Sequence, residues 1–469
     1  MSDGSLPIFG RRRSETFGGG ANNPVMQQVA APPPPQPVAD YARIPLDTAP
    51  TVRAEIAELR NLCLARMDAT AVASLPAERL LIEVERLISD LATEKRVQLN
   101  AREQRALATE LVDDMLGLGP LEPLLLDDTI NDIMVNGPEK TFVERGGKLL
   151  QVPVRFRDWT HLTNICQRIA ASVGRRVDES SPMCDARLKD GSRVNIVLPP
   201  LAIDGPSISI RKFSKKPIDF EKLIQFGALT PPMARVLEIA ARCRLNIIVS
   251  GGTGSGKTTM MNALSRFIDV AERIVTIEDA AELQLQQPHV VRLETRPASL
   301  EGKGEVTARD LVRNALRMRP DRVIIGETRG SEAFDMLQAM NTGHDGSMST
   351  IHANNTRDAL SRIENMVQMS SMGLTSRAIK QQICAAVNLI VQVERQRDGG
   401  RRVIQVTEIA GMEGETQLLN DIFKMEVTGE SNTGRLTVRY EVSRIRSSFQ
   451  ERLQYFGLDR AWANALEQA

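Results

Sequence analysis

The spacing of hydrophobic positions changes along the chain and divides it into regions of different predicted structure. Apolar residues recur every three or four positions in residues 52–67 and 76–116, which predicts a bundle of amphipathic helices over residues 49–116. Short apolar runs separated by turn residues follow in residues 117–214 and predict an α+β domain. From residue 220 to 427, apolar strands alternate with helical segments, which is typical of a parallel sheet covered by crossover helices.

Three further segments lie outside these predicted domains. Residues 1–48 contain the proline run Pro32 to Pro35 and few large apolar residues, so we expect a disordered tail. Residues 215–219 form a predicted linker. Residues 428–469 form a C-terminal segment that ends in an amphipathic helix, and its sequence indicates no role.

A glycine-rich loop follows the first strand of the alternating region. The strand runs into GGTGSGKTT, in which Gly251, Gly256, Lys257 and Thr258 match the pattern G-x-x-x-x-G-K-[ST]. Glycines let successive backbone N–H groups turn towards a polyphosphate, because no side chain blocks its approach. Lys257 would then contact the β- and γ-phosphates of ATP or GTP, and the Thr258 hydroxyl would bind Mg²⁺. The predicted nucleotide-binding residues are Gly252, Thr253, Gly254, Ser255, Gly256, Lys257, Thr258 and Thr259.

Acidic residues and a histidine follow the next three predicted strands. Glu278 follows the strand at 273–277, Glu327 the strand at 322–325, and His352 the strand at 347–351. The carboxyl ends of parallel strands meet at one edge of a sheet, where ligands bind. We therefore expect these three side chains to converge on the γ-phosphate held by Lys257.

Glu327 is the best candidate for the residue that polarises the attacking water. It could instead contact Mg²⁺ through a water, with Glu278 or Asp279 in the other role. A simple capping role for Glu278 stays open. Gly326 occupies the position where a Walker B motif usually has an aspartate, so the second carboxylate contact of the metal is not defined by this motif.

Two histidines and three arginines complete the set of candidate site residues. His344 and His352 lie in one block, TGHDGSMSTIH, and we interpret both as γ-phosphate sensors because zinc would need further ligands. Arg187, Arg193 and Arg211 lie in the domain before the phosphate loop. Each could be a solvated surface residue, and together they could reach the nucleotide.

Composition narrows the possible partners. The chain has 59 basic and 59 acidic residues and 4% aromatic residues, which disfavours binding to nucleic acid. Its five cysteines are scattered without a C-x-x-C pair, as expected for reduced thiols in the cytosol. It has no continuous apolar run of 18 residues, and no hydrophobic region follows Arg11, Arg12 and Arg13, so we expect neither a transmembrane helix nor a signal peptide. We expect a cytoplasmic protein whose contact with a membrane is peripheral.

Four sequence blocks in order resemble the signatures of the traffic ATPase superfamily of type II and type IV secretion. They are GGTGSGKTT, TIEDAAELQL, RPDRVIIGETRGSEAFDML and NTGHDGSMSTIHAN. The preceding segment DARLKDGSRVNIVLPPLAIDGPSISIRKF is similar to the CpaF branch, the motors of Tad (Flp) pili. The resemblance covers roughly residues 116–427.

The resemblance implies a fold, an activity and partners. The fold is α/β, with a RecA-like P-loop domain preceded by a smaller α+β (PAS-like) domain and the N-terminal helices. The activity is hydrolysis of ATP with Mg²⁺ between the two domains of each subunit in a homohexameric ring. Arg193 and Arg211 match the arginines that the smaller domain sends to the nucleotide, and Arg187 is a weaker match. The partners are an inner-membrane pilus platform protein and, indirectly, pilin, at the cytoplasmic face of the inner membrane.

Three other functions are compatible with parts of the sequence. A type IV secretion ATPase that moves protein or DNA would have the same site, although such relatives generally lack an extension like residues 1–116. A nucleic-acid translocase is disfavoured by the zero net charge. A nucleotide-binding scaffold without turnover is disfavoured because Lys257, Glu327 and His352 are all present.

Overall fold

The computed structural model describes residues 54–67, 76–213, 218–296, 298, 303–370, 373–432 and 434–469. The tail predicted at 1–48 lies outside these residues, as does the predicted linker apart from residues 218 and 219. Three helices come first, then a smaller antiparallel domain and a larger, mainly parallel domain, which confirms the predicted α/β class. No helix in the described ranges is both long enough and apolar enough to cross a bilayer.

The N-terminal helices are α1 (Ala54–Arg66), α2 (Ala77–Lys95) and α3 (Ala101–Leu116). Their apolar stripes enclose a common core that contains the fully buried Leu59, Ile88 and Leu111. A capping box separates α2 from α3. The Asn100 side chain accepts the Glu103 N–H at 2.8 Å, and the Glu103 carboxylate accepts the Asn100 N–H at 2.9 Å.

The smaller domain is a six-stranded antiparallel sheet against one long helix. The sheet has the order β3-β2-β1-β6-β5-β4, and its core is shared with helix α5. The elements are a 3₁₀ turn (Gly119–Leu121), α4 (Glu122–Leu126), β1 (Ile130–Asn136), β2 (Lys140–Arg145), β3 (Lys148–Val152), α5 (Trp159–Ser172), β4 (Met183–Arg187), β5 (Arg193–Val197) and β6 (Ser207–Arg211). Arg193 on β5 lies directly opposite Arg211 on β6. Both arginines are exposed, because the alternate residues of these strands are the ones that fill the core.

The larger domain is a nine-stranded sheet with an apolar core on each face. Its strands are β7 (Ile247–Gly251), β8 (Ile274–Glu278), β9 (Val290–Glu294), β10 (Arg322–Ile325), β11 (Met348–Ile351), β12 (Leu389–Arg395), β13 (Arg401–Glu413), β14 (Thr416–Glu430) and β15 (Leu436–Val442). Its helices are α6 (Phe220–Gln225), α7 (Pro231–Arg242), α8 (Lys257–Ser265), α9 (Ala308–Ala315), α10 (Glu332–Asn341), α11 (Thr356–Met369), α12 (Ser376–Ala386), α13 (Gln450–Tyr455) and α14 (Asp459–Glu467).

Strand order places the phosphate-loop strand β7 at the middle of the nine-stranded sheet. The order is β15-β14-β13-β12-β7-β11-β10-β8-β9, and the six strands from β12 to β9 are parallel. Every residue of β7, β8, β10 and β11 is buried, as expected when helices cover both faces of a sheet. The carboxyl ends of these strands share one edge, and the phosphate loop lies there.

The C-terminal segment continues the larger domain. Strands β13, β14 and β15 extend the sheet in antiparallel fashion, and β14 runs through residue 427, where we had expected the domain to end. Trp462 and Leu453 of the last two helices are buried in the same core as Leu237 of α7. The rings of Phe449 and Trp462 pack edge to face with centroids 5.3 Å apart.

Candidate active site

The phosphate loop connects β7 to α8 and needs glycine for two different reasons. At Gly251, a Cβ atom would lie 2.2 Å from the carbonyl oxygen of Val393 on the neighbouring strand. At Gly256, φ is +101°, a conformation that residues with a side chain rarely adopt. The loop therefore passes close to β12 and then turns sharply into α8, so that the free N–H groups of the first turn of α8 lie next to the loop.

Lys257 is buried, and acceptor atoms of the protein itself bind its ammonium group. Its ammonium group donates to the carbonyl oxygens of Gly251 and Gly252, each at 3.0 Å, and lies 3.2 Å from Nε2 of His352. Burial, together with the nearby Arg329 charge, lowers the pKa of Lys257 against the opposing effect of Glu327. Phosphate oxygens are the acceptors that can replace these carbonyls.

His352 connects Lys257 to Glu327. Its Nε2 atom is 3.2 Å from the Lys257 Nζ and 3.0 Å from Oε1 of Glu327. Burial and the Lys257 charge lower the pKa of His352. The lowered pKa favours the neutral ring, in which an unprotonated Nε2 would accept the hydrogen bond that the Lys257 ammonium donates.

Glu327 is held in its ionised form and keeps one oxygen free for a ligand. Oε2 accepts a hydrogen bond from Arg329 at 2.5 Å, whereas Oε1 is buried and has no hydrogen-bond partner among the described residues. The contact of Oε1 with His352 lacks hydrogen-bond geometry. Burial acts to raise the pKa of Glu327, but Arg329, His352 and Lys257 outweigh it and lower the pKa.

Glu278 lies beside Gly326 and explains why glycine stands there. A Cβ atom on Gly326 would be 2.8 Å from Cγ of Glu278, so the aspartate of a usual Walker B motif would collide with this side chain. Oε2 of Glu278 accepts the N–H groups of Glu282 and Leu283 at 2.7 and 2.8 Å, which is the capping role left open above. Burial raises the pKa of Glu278 to about 7. Glu278 therefore takes the space of the missing aspartate.

The donors at this edge of the sheet fit Mg²⁺ that arrives with a nucleotide. Glu278 Oε1, Glu327 Oε1 and Thr276 Oγ1 are buried oxygens that lack a hydrogen-bond partner within the described ranges. Thr258 lies in the first turn of α8 and is half-buried. The described side chains include no group of three His, Cys, Asp or Glu that would bind a metal alone. Mg²⁺ commonly binds through few protein oxygens, waters and substrate phosphates, which suits this donor set.

A groove of about 650 Å³ separates the smaller domain from the strand ends of the larger one. Arg187 and Arg193 line one side, and Asp279 and Arg329 line the other. Arg187 crosses the groove, because it donates to Glu294 at 2.8 Å and to the carbonyl oxygen of Ala281 at 2.6 Å. Arg193 faces the groove from β5.

Two predicted site residues lie elsewhere. Arg211 forms an ion pair with Asp132 of its own domain at 3.3 Å and is not part of the groove lining. His344 precedes β11, whereas His352 follows it, so a strand separates the two histidines and places them at opposite edges of the sheet. The Nδ1 atom of His344 lies 3.2 Å from the carbonyl oxygen of Ala339. His352 therefore lies at the end of β11 that is in contact with Lys257, and His344 lies at the other end of that strand.

The sequence analysis missed two arginines near the loop. Arg329 binds Glu327 and also lies 3.4 Å from Asp279, so it connects two strand ends. It could have been noticed from its place two residues after Glu327. Arg401 donates to the carbonyl oxygen of Gly254 at 2.8 Å, although 147 residues separate them, and no local signal indicates this contact.

Known proteins resemble this chain over most of its length. A conjugal-transfer protein of Mycobacterium tuberculosis (strain H37Rv) is 40% identical over 319 residues, which are 67% of this chain and 89% of the relative. The type IV secretion system protein VirB11 of Brucella suis is 33% identical over 318 residues, which cover 62% of this chain and 88% of VirB11. A crystal structure of the Brucella suis VirB11 ATPase with sulphate aligns with 32% identity over 62% of this chain and 96% of that one, with a TM-score of 0.34.

A family model gives the broadest match. The model described as type II/IV secretion system protein matches residues 114–457, from the end of α3 to the last two helices. This range contains both domains and all the site residues described above. The chain therefore belongs to the type II/IV secretion system protein family.

Proposed function

We propose that this protein is a P-loop ATPase that couples ATP hydrolysis to mechanical work. The observation that supports this most strongly is the contact series from Lys257 through His352 to Glu327 beside the phosphate loop. A plain glycine turn would not need a buried lysine, a neutral histidine and an ionised glutamate with one free oxygen in contact. A lysine for the phosphates, a carboxylate for the attacking water and a hydroxyl for Mg²⁺ are groups that phosphoryl transfer requires.

Each residue then has a step in the reaction. When ATP binds, Lys257 exchanges the carbonyl oxygens of Gly251 and Gly252 for phosphate oxygens. Glu327 Oε1 orients a water and accepts its proton as the water oxygen bonds to the γ-phosphorus, and the bond to the bridging oxygen breaks with ADP as the leaving group. Thr258 would hold Mg²⁺, which neutralises charge on the phosphate oxygens. Arg193 would reach the nucleotide across the groove when the two domains close.

At the cellular level, we propose a homohexamer at the cytoplasmic face of the inner membrane that drives assembly and retraction of a Tad (type IVc) pilus. The force would pass through an inner-membrane platform protein to pilin. The CpaF-like segment before the phosphate loop supports this client. The helices α1 and α2 support it too, because they lie outside the range shared with the wider family.

The second candidate is a type IV secretion ATPase that moves protein or DNA. It is favoured by the names of two similar proteins, the conjugal-transfer protein of Mycobacterium tuberculosis and VirB11 of Brucella suis. A deletion strain separates the candidates. Loss of surface pili with intact transfer of DNA and protein supports the pilus motor, whereas loss of transfer with normal pili supports secretion.

The enzymatic proposal is tested on the purified full-length chain. We expect Mg²⁺-dependent release of phosphate from ATP, and we expect Lys257→Ala to abolish it together with binding of a fluorescent ATP analogue. Lys222→Ala on α6 is the matched control. It removes a lysine that lies far from the loop in sequence, and the buried side chains of α6 belong to other residues. Full ATPase activity in Lys257→Ala would contradict the assigned site.

A further inference from the structure

The hairpin of β12 and β13 lies between the phosphate loop and the smaller domain. Arg395 at the end of β12 and Arg401 at the start of β13 are directly opposite each other in the ladder. Both side chains are exposed, and within the described part of the chain neither forms an ion pair with a carboxylate. Like charges directly opposite each other destabilise a strand pair. The pair of Arg395 and Arg401 therefore has an electrostatic cost that local packing does not explain.

Each of the two arginines reaches a different part of the molecule. Arg401 donates from Nε to the carbonyl oxygen of Gly254, in the middle of the phosphate loop, at 2.8 Å. Arg395 donates from Nη2 to the carbonyl oxygen of Gly147, in the β2–β3 turn of the smaller domain, at 3.0 Å. The two arginines at this one position of the β12–β13 ladder therefore contact both domains.

The hairpin is held by the neighbouring strand β7 and by hydrogen bonds at its tip. At its base, Val393 pairs with Gly251, the first residue of the phosphate motif. At its tip, the buried Asp398 carboxylate binds both terminal nitrogens of Arg402 at 2.8 and 2.7 Å and accepts the N–H of Leu436 at 3.0 Å. These charge-assisted bonds lower the pKa of Asp398 and keep it ionised.

We propose that Arg395 and Arg401 form a strut that couples occupancy of the phosphate loop to the position of the smaller domain. The hydrogen bond from Arg401 to the Gly254 carbonyl holds that oxygen on the outside of the loop. The N–H groups of the loop are thereby left free for phosphate. A nucleotide that reshapes the loop moves Arg401, and the paired strand carries the displacement through Arg395 to Gly147. Arg401 is thus a positioning residue, and this inference rests on the proposed nucleotide-binding function.

The test is hydrogen exchange of the full-length chain with and without Mg-ADP or a non-hydrolysable Mg-ATP analogue. In the wild type, nucleotide changes exchange in residues 140–152, which contain the β2–β3 turn. In Arg401→Ala and in Arg395→Ala this change is lost at saturating nucleotide. Arg401→Ala also binds nucleotide about threefold to tenfold more weakly, because one hydrogen bond to the loop is gone, whereas Arg395→Ala binds normally.

Arg397→Ala is the matched control, because Arg397 lies in the same hairpin but forms its ion pair with Glu430 at 2.6 Å. It retains the nucleotide-dependent change. The double variant Arg395→Ala/Arg401→Ala loses the nucleotide-dependent change as each single variant does, and it binds nucleotide as weakly as Arg401→Ala, as expected for two ends of one strut. A nucleotide-dependent change that persists in both single variants, or is missing from a wild type that binds nucleotide, overturns the strut. A wild type that binds no nucleotide overturns the proposed function itself.

Discussion

At the scale of single residues, the site is built from side chains that set one another's ionisation. Lys257 and His352 are both shifted towards their neutral forms by burial, while Glu327 stays ionised because Arg329 binds it. The pKa of Glu278, on the neighbouring strand, is shifted in the opposite direction because burial outweighs its backbone hydrogen bonds and the charge of Arg292. Two carboxyls at one edge thus have different protonation behaviour, which favours Glu327 over Glu278 for the proposed water-orienting role.

We expect Glu327→Gln to bind ATP but to hydrolyse it about 10² to 10⁴ times more slowly, because the amide cannot accept the proton of the attacking water. Steady-state phosphate release and binding of a fluorescent ATP analogue measure the two effects separately. Glu426→Gln is the control, since it changes an exposed glutamate whose partner is Arg439. A turnover rate close to that of the wild type would remove Glu327 from the mechanism.

The raised pKa of Glu278 predicts a pH dependence of stability. This carboxyl has an ordinary pKa of 4.5 and a pKa of about 7 in the folded protein. Between these pH values the folded state binds a proton that the unfolded state has lost, so the stabilisation present below pH 4.5 is lost as the pH rises through 7. Relative to Glu278→Gln, we expect the wild type to lose about 2–3 kcal/mol of unfolding free energy over this range.

Urea unfolding at several pH values between 4.5 and 8 measures this difference. The glutamine carbonyl can still accept the N–H groups of Glu282 and Leu283, so the variant keeps the local hydrogen bonds. Parallel stability curves for the two proteins would show that Glu278 does not titrate in this window.

At the scale of elements, packing between neighbouring strands determines which side chains fit at the carboxyl edge of the sheet. Glu278 at the end of β8 and Gly326 after β10 are adjacent because β8 and β10 pair in parallel. Thr350 on β11 adds a further contact, since its hydroxyl donates a hydrogen bond to the carbonyl oxygen of Gly326 at 2.7 Å. The chain segment that leads to Glu327 is therefore held from both sides.

Gly326→Ala tests this packing. The added methyl would lie 2.8 Å from Cγ of Glu278, so we expect a loss of about 1–3 kcal/mol in unfolding free energy, together with lower ATPase activity. Gly429→Ala on β14 is the control, because a Cβ there meets nothing within 4 Å. Chemical denaturation of both variants measures the effect. Equal stability of the two would mean that β8 and β10 are less tightly packed than described.

At the scale of the whole molecule, the groove between the two domains is the feature that the proposed catalytic role of Arg193 depends on. Arg193 lies on one wall, and the strand ends with Asp279 and Arg329 lie on the other. Arg187 already spans the groove through Glu294, so the two domains are connected before any ligand binds. The strut of Arg395 and Arg401 would be a second connection on the side of the phosphate loop.

Arg193→Ala is expected to lower kcat by about 10²-fold or more, because this arginine would reach the transition state. We expect Tm to stay unchanged, because an exposed arginine contributes little to the stability of the fold. Arg176→Ala is the control, since it removes an exposed arginine of the same domain whose partner is Asp178. Steady-state kinetics and thermal melting test the prediction. A fall in Tm as large as the fall in rate would instead indicate a structural role.

Removal of residues 1–48 should leave ATPase activity and ring assembly unchanged, because the described site residues all lie between Arg187 and Arg401. Light scattering of the full chain is expected to give a mass near six times 51.8 kDa, and the truncated chain should give the same number of subunits. Loss of the ring on truncation would show that the tail takes part in assembly.

The local parts of the site were predictable from sequence because their signals are local. The phosphate loop, the strand before it and the acid after β10 are each encoded within about fifteen residues by glycine, apolar runs and charge. The capping box of Thr307 and Asp310, which begins α9, is encoded just as locally. The parallel sheet then brings Glu327 and His352 to Lys257, as expected from the rule on strand ends.

Only the tertiary structure decided which distant residues meet. Strand order is set by long-range pairing, so the sequence did not reveal that β12 lies beside β7 and brings Arg401 to the phosphate loop. His344 looked equivalent to His352 because sequence distance does not show on which side of a strand a residue lies. The collision that excludes a side chain at Gly326 likewise depends on a residue 48 positions earlier. Sequence therefore determined the chemistry available, and packing determined which groups share the site.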